Sequence, residues 1–424
     1  MTEIRDGHLD SSRGGLHPVA VTDDVELLIA GGGLTGLLLG AACGSAGLTV
    51  AVVDRQDPAN SLRDDFDGRS SAIAHGSQRV LDAIGLWSEI AAEAEPILEI
   101  RVADEDSPLF LHYDHRELES GTPLGYIVEN RVLRQALIER VRSMPNFVLF
   151  APLAIDSAVS SPLGTTAQLS DGRQIKARLI AGADGQKSPL RRAAGIQTVG
   201  RRYEQTGIVT TVRHERPHLG IAVEHFLPAG PFAILPMTRN RSSIVWTERA
   251  ELAPRLMNLS DPAFAMELAA RFGGFLGAIE PVGPRWAYPL ALLLATSYVA
   301  PRLALVGEAA HVIHPIAGQG LNLGIRDVAV LAELVIDARR LGLDIGDHAV
   351  LRRYQQWRRF DAFALATVTD GLNRLFSHSF SPVRLVRDIG LATVQRLPPL
   401  KRLLMQDAMG ITGDLPRLVR GEPL

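Results

Sequence analysis

The run Val25-Glu26-Leu27-Leu28-Ile29-Ala30 leads directly into Gly31-Gly32-Gly33-Leu34-Thr35-Gly36, and how it is read decides the fold. The first six residues form an apolar segment of strand length, and glycines then fall at the first, third and sixth positions. A helical pattern runs from Leu34 to about Ala46, and a second apolar strand, Thr49 to Val53, ends in Asp54. Strand, glycine turn, helix, strand and terminal acid together make the dinucleotide fingerprint in its required context. The pyrophosphate lies against the helix N-terminus and the acid meets the adenosine ribose. Residues 25–53 are also long and uncharged enough to read as a membrane span. The clustered glycines and β-rich ends argue against a helix of that length.

Two further junctions repeat the arrangement. Gly307-Glu308-Ala309-Ala310-His311, then Pro315, then Gly318-Gln319-Gly320-Leu321-Asn322-Leu323-Gly324 follow an apolar strand, Arg302 to Val306. They open an amphipathic helix that runs from about Asn322 to Arg340. A helix N-terminus carries roughly half a positive charge and several unpaired N–H groups, so it stabilises an anion placed against it. Ala181-Gly182-Ala183-Asp184-Gly185-Gln186-Lys187-Ser188-Pro189 follows the strand Arg178 to Ile180 and opens another helix, with Ser188 as N-cap and Pro189 in the first turn. Three such junctions are expected to converge on one face of a parallel sheet, where α/β proteins bind ligands.

Composition sets wide bounds. A chain of 424 residues is long enough for two or three domains with large cores. A net charge of −3, with no basic stripe interleaved with aromatics, gives no nucleic-acid footprint. The single cysteine, Cys43, excludes an internal disulfide and a multi-cysteine metal site, and no metal is expected. Its place in the first helix reads as a small core residue. Residues 1–22 are polar and mixed in charge, a disordered extension and not a secretion signal. With no span besides 25–53 of adequate length, a cytoplasmic location is expected.

The expected architecture is mixed α/β: a Rossmann-like domain from 23–196 and 290–365 with a small insertion near 75–110, an antiparallel-sheet substrate domain over 197–289, and a C-terminal helical region over 366–424. The sheet rests on β-rich runs between Thr206 and Thr247, broken by Pro217, Gly220, Pro228, Gly230 and Asn240.

Together the three motifs resemble the FAD-dependent aromatic hydroxylases, single-component flavoprotein monooxygenases related to p-hydroxybenzoate hydroxylase. The resemblance runs from about Val25 to Phe360. It implies that Gly31, Gly33, Gly36 and Asp54 meet the ADP half of FAD, that Asp184 lies at the FAD and pyridine-nucleotide groove, and that Glu308 meets the ribityl hydroxyls. Gly320, Leu321 and Asn322 would offer backbone N–H groups to the flavin's pyrimidine edge. The family usually has Asp where this chain has Glu308, one methylene longer. Arg69 and Arg131 match positions that touch the flavin or its phosphates. Arg69-Ser70-Ser71-Ala72-Ile73, the run from His225 to Pro236, and Gly318 to Asp327 with Arg326-Asp327 narrow the resemblance to the ubiquinone-biosynthesis hydroxylases.

That branch implies ring hydroxylation of a lipophilic polyprenylphenol with NAD(P)H and O2, through a flavin C4a-hydroperoxide. The nicotinamide would visit a groove, since no second glycine fingerprint exists. Phe226, Phe232, Ile234, Leu235 and Pro236 are candidates for the substrate pocket, with ordinary sheet core as the alternative. His225 and His314 are candidates for an acid or base. His311, inside the third motif, reads better as a hydrogen-bonded structural histidine.

Residues 371–424 carry eight Lys or Arg against four Asp or Glu. Leu385, Ile389 and Leu391, then Leu403, Leu404 and Met405, with Arg384, Arg387, Lys401 and Arg402, fit either a helical layer on the FAD domain or a membrane interface. Peripheral attachment to the inner face of the cytoplasmic membrane, or to a biosynthetic complex, stays open. So do the alternatives of a soluble-phenol hydroxylase and of a redox-silent flavin-binding subunit. A halogenase is disfavoured because Val245-Trp246-Thr247-Glu248 is the nearest run to a Trp-x-Trp motif.

Overall fold

The computed structural model describes residues 24–63, 67–104, 110–118, 120–376 and 394–424. The expected N-terminal extension, and the interfacial candidates from Arg384 to Leu391, lie outside the described residues.

Residues 25–53 fold as strand, helix and strand. Asp24–Ala30 pairs in parallel with Val50–Val53 on one side and with Gln174–Gly182 on the other. Phe147–Phe150 and Leu303–Leu305 extend the parallel sheet at either end. Leu27, Leu28 and Ile29 are at most 1% exposed, as expected for strands covered on both faces. The helix Leu34–Ser45 is buried continuously from Gly36 to Gly44. It has no polar face because the helices Asn130–Arg142 and Gln319–Arg340 both pack against it. Cys43 is buried in that core.

The second sheet has eight strands. Their order is His311–Val312, Ile279–Ala295, Thr198–His214, Arg241–Arg249, Gly230–Met237, Ile221–Leu227, Glu99–Asp104 and Phe110–Asp114. It reaches beyond the 197–289 expected from sequence at both ends. The Ile279–Ala295 strand runs through the boundary placed at 290, pairing with Thr198–His214 to its last residue. The presumed insertion near 75–110 adds the Glu99–Asp104 strand, which pairs in parallel with Ile221–Leu227, so the sheet is not wholly antiparallel. A small third sheet joins Ser70–Ala74, Gly125–Glu129 and Glu95–Ile97.

Two of the C-terminal helices bear on the site. His348–Phe376 packs on Gln319–Arg340, and it begins before the boundary placed at 366. Pro398–Ala408 and the turn after it bury Met405 and Met409 against Ile97, Leu124 and Ile127. Lys401 is buried as well and donates to Glu117 at 2.6 Å. Leu403 and Leu404 stay exposed, so the helical-layer reading holds for one face of this helix only. Among the described residues no helix is long and apolar enough to cross a membrane.

Candidate functional site

The register of the parallel sheet brings the three glycine-bearing loops to one edge. Gly31 N–H donates to Val53 O and Ala183 N–H to Ala30 O, both at 2.8 Å, while Val306 N–H donates to Gly182 O at 2.9 Å. Contact is close enough that side chains are excluded. A Cβ on Gly31, whose φ is +104°, would stand 2.3 Å from Ala183 O, and one on Gly36 would stand 1.9 Å from Gly31 O. Gly33 differs, since a Cβ there would meet nothing within 4 Å. The first and third glycines therefore serve turn and packing, and the middle one leaves backbone open to a ligand.

Each cofactor candidate now has a position. The half-buried Asp54 carboxylate ends its strand beside the glycine turn, accepting from Gly32 N–H and, at 2.7 Å, from Gln56 N–H. Asp184 accepts from Leu190 N–H at 3.1 Å through one oxygen, and its other oxygen is buried with no hydrogen-bond partner among the described residues. Glu308 is exposed between the buried Gly307 and Ala309 and lines a large cavity. Arg69 lines the same cavity, lies 4.9 Å over the Tyr288 ring and pairs with Asp67 at 2.9 Å. Burial opposes the Arg69 charge, but the Asp67 pair outweighs it and raises the pKa. Arg131 does not line the cavity. Its helix neighbours Asn130 and Arg134 do, and Arg134 donates to Ser61 O at 3.0 Å.

The helix Gln319–Arg340 starts from Gly318 at φ +62°, and no side chain caps it. Its first N–H groups have no partner within the helix, and Gly320 faces open space. Asn322 holds this end in place. Its side chain accepts from Ala74 N–H at 2.9 Å and donates to Ala72 O at 2.8 Å.

Sequence reasoning missed two fastenings. Arg191 is buried and donates to Ala309 O and Gln186 O, both at 2.7 Å, tying the Asp184 loop to the Glu308 loop. Asp327, fully buried, accepts from Gly307 N–H at 3.0 Å, His311 Nε2 at 2.6 Å and Arg358 Nε at 2.8 Å. Burial works against its charge, and His311 and Arg358 outweigh that, so its carboxyl is held below the usual range. His311, which also lines the cavity, is thus hydrogen-bonded to a buried carboxylate. A single acidic residue next to Arg326, on an otherwise buried face of the helix, was the available signal.

The cavity measures about 1590 Å³ and joins all three loops to the second sheet. Small-ligand pockets occupy roughly 300–1,000 Å³, so this one has room for a large cofactor and a second molecule. Its sheet wall corrects several expectations. Pro231, Ala233 and Leu235 line the lumen, whereas Phe232 and Ile234 belong to the core beneath Trp246, and Pro236 does not line the cavity either. The period of two fixes this split once one face is assigned. On Ile221–Leu227, Ala222, Val223, Glu224 and Phe226 line the lumen and His225 does not. His314 is buried outside the lining, 3.3 Å from Gln205 Oε1, and burial lowers its pKa to about 4. Neither histidine candidate reaches a ligand in the lumen. Glu224 does, and the sequence reading passed over it.

The orphaned Asp184 oxygen, the open Gly33 and Gly320, the uncapped helix start and the Glu308 carboxylate form a donor and acceptor set that fits FAD. The model of the FAD binding domain family matches residues 24–366. The chain is 52% identical over 404 residues to Ubiquinone hydroxylase UbiL of Rhodospirillum rubrum, covering 94% of this chain and 93% of that protein. It is 34% identical over 388 residues to 3-demethoxyubiquinol 3-hydroxylase of Escherichia coli, covering 91% and 98%. Among solved structures, p-nitrophenol 4-monooxygenase PnpA from Pseudomonas putida DLL-E4 superposes with a TM-score of 0.77 at 20% identity, covering 92% of this chain and 99% of that one, which is a likeness of fold. The chain belongs to the FAD binding domain family and is one of its FAD-dependent monooxygenases.

Proposed function

We propose that this chain hydroxylates the aromatic ring of a polyprenylated phenol in ubiquinone biosynthesis, using NAD(P)H and O2. The observation that carries the reading is the single cavity that runs from the three cofactor loops along an apolar sheet wall to the helix His348–Phe376. Relatives named as ubiquinone hydroxylases, matched over nearly the whole chain, support it.

FAD supplies electron transfer and oxygen activation when bound. The chain's own residues do the rest. Gly33 and Asp54 would hold the ADP half within the turn that Gly31 and Gly36 shape, Asp184 and Glu308 would accept hydrogen bonds from the cofactor's polar chain, and Arg69 would offer a cation. The open N–H groups at Gly320, Leu321 and Asn322 stabilise negative charge on the flavin's edge through the helix dipole. Phe226, Leu235, Ala233 and Pro231 exclude water from the ring.

A prenyl tail has a route outward. Phe360, Val368 and Leu404 each line the cavity and are also exposed, so the lumen opens through an apolar mouth. Exposed Phe363 and Leu403 extend this surface, which suits peripheral contact with a bilayer that holds the substrate.

The test is turnover by the purified yellow protein on 2-farnesylphenol and on phenol, with NADH and NADPH each supplied. Hydroxylation of the prenylated compound at a kcat/KM well above that of phenol is expected. Preference for phenol would assign a soluble substrate. Bound FAD with no substrate-stimulated NAD(P)H oxidation would reduce the chain to a flavin-binding subunit. Deleting the gene in its host and identifying the accumulated lipid-soluble intermediate names the ring position.

A further inference from the structure

Glu224 is the acidic side chain that the sheet wall turns into the cavity. It sits on Ile221–Leu227 between two other lumen residues, Ala222 and Phe226, and its partners across the sheet are Ala233 on one side and Val102 on the other. No described residue gives its carboxyl a hydrogen bond or an ion pair, whereas the buried Asp67 is held by Arg69 and the buried Asp327 by Arg358. Burying an unpartnered carboxyl on an apolar wall is unfavourable unless a ligand answers it.

The surroundings do not answer it. The neighbouring strand Gly230–Met237 holds no titratable residue. On Glu99–Asp104, Glu99 and Arg101 pair with each other at 2.8 Å. On Phe110–Asp114, Tyr113 lines the lumen with its own pKa pushed up to about 12 by burial, so it stays neutral. His112 pairs with Glu99 at 3.0 Å. The end of the helix His348–Phe376 brings an aromatic ring, Phe376, stacked on Phe226 with centroids 3.8 Å apart.

We propose that Glu224 is the catalytic base that receives the phenolic proton of the bound substrate. The assignment rests on the hydroxylase reading above. The phenol O–H bond breaks, the proton passes to a Glu224 oxygen, and the electron pair remains on the substrate as phenolate. That charge enriches the ring carbons conjugated with it, and one of them takes an oxygen atom derived from O2. The hydrogen on that carbon then leaves as a proton to solvent, and its C–H electron pair restores the aromatic ring. Glu224 returns its proton to the original substrate oxygen, so the residue ends as it began. NAD(P)H supplies the two electrons that reduce the second oxygen atom to water. Burial pushes the Glu224 carboxyl up to about 7, which suits a base working near neutrality.

The experiment compares full-length, FAD-loaded wild type with Glu224→Gln and Glu224→Asp on 2-farnesylphenol across pH 5–9, measuring kcat, KM and product formed per NAD(P)H oxidised. The expected result is a kcat loss of about 100-fold in Glu224→Gln, poorer coupling, and disappearance of the pH limb near 7. Glu224→Asp should recover part of the rate and keep a limb. Wild-type kcat and limb in Glu224→Gln would overturn the assignment, as would a loss confined to KM. Where Glu224→Gln fails to fold or to hold FAD, the wild-type kcat–pH profile decides: a limb near pH 7 accompanied by a solvent deuterium isotope effect on product formation supports the base, and a flat profile without the isotope effect overturns it. If wild type hydroxylates no phenol, the functional reading fails; if wild type and Glu224→Gln hydroxylate equally, that reading stands and the Glu224 assignment alone falls.

Discussion

Two glycines of one motif are set apart by what surrounds them, and this gives opposite forecasts for the same substitution. At Gly36 an added methyl would overlap the Gly31 carbonyl oxygen at 1.9 Å, and that oxygen is backbone at the end of a buried strand. Gly36→Ala should therefore fold poorly, with a loss of at least about 1–3 kcal/mol from overpacking. At Gly33 the methyl meets no protein atom. Gly33→Ala should melt like wild type yet bind FAD at least about tenfold more weakly, because the methyl occupies the space the ligand needs. Thermal melts with flavin titration separate the cases, and equal flavin affinity in Gly33→Ala would move the pyrophosphate elsewhere. These glycine roles were legible in sequence because the steric demand is local to one turn. The choice of Phe232 and Pro236 as pocket residues was not, because alternation gives two faces and does not say which is covered. In Gly230–Met237 both faces are apolar, so only the helix packed under Trp246 decides.

Elements are held to one another by a few buried polar groups, and these were the least visible in sequence. Asp327 joins the loop at Gly307, the helix Gln319–Arg340 and the helix His348–Phe376, through partners 16 to 31 residues away. Asp327→Asn should cost about 1–3 kcal/mol in denaturant unfolding, since the buried Arg358 then keeps only its pairing with Asp361 and His311 loses its charged acceptor. A loss below about 1 kcal/mol would mean that the network is not what fixes the loop. The helix Pro398–Ala408 makes a different forecast. Its inner face is fastened by Met405 and by Lys401 to Glu117, and its outer face shows Leu403 and Leu404. Leu403→Glu should leave the melting curve within about 0.5 kcal/mol of wild type. It should weaken co-flotation with anionic vesicles and raise KM for 2-farnesylphenol more than for phenol. Unchanged flotation would leave the apolar mouth without a membrane role. The sequence set Leu403, Leu404 and Met405 beside Lys401 and Arg402, but such apolar residues look the same whether protein or lipid covers them.

Across the whole molecule the fold was readable wherever strand, turn and helix signals coincided, and blurred where a strand was recruited from a distant segment. Nothing local in Glu99–Asp104 announces that it completes a sheet begun a hundred residues later. The same long-range assembly sets the titration behaviour, because His314 and Glu224 have opposite effects on stability over nearly the same pH range. His314 has its pKa lowered to about 4 by burial. Between about pH 4 and 6.5 the unfolded chain holds a proton there that the folded chain lacks, so this contribution is full above about 6.5 and is lost as pH falls. Glu224 has its pKa raised to about 7 by burial. Between about pH 4.5 and 7 the folded chain holds the extra proton, so this contribution is full below about 4.5 and is lost as pH rises. Each term is on the order of 3 kcal/mol from the shift, and over the shared range they largely cancel. The lowered Asp67 and Asp327 act further to the acid side, being lost only as pH falls through their depressed values. Wild type should thus show stability that rises only gently from pH 4.5 to 6.5 in denaturant titrations, because His75 and His214, also lowered by burial, add to the His314 side. His314→Gln should tilt the profile so that stability falls as pH rises, and Glu224→Gln should tilt it the other way. Parallel curves for all three proteins would show that neither group is shielded from solvent as the fold requires.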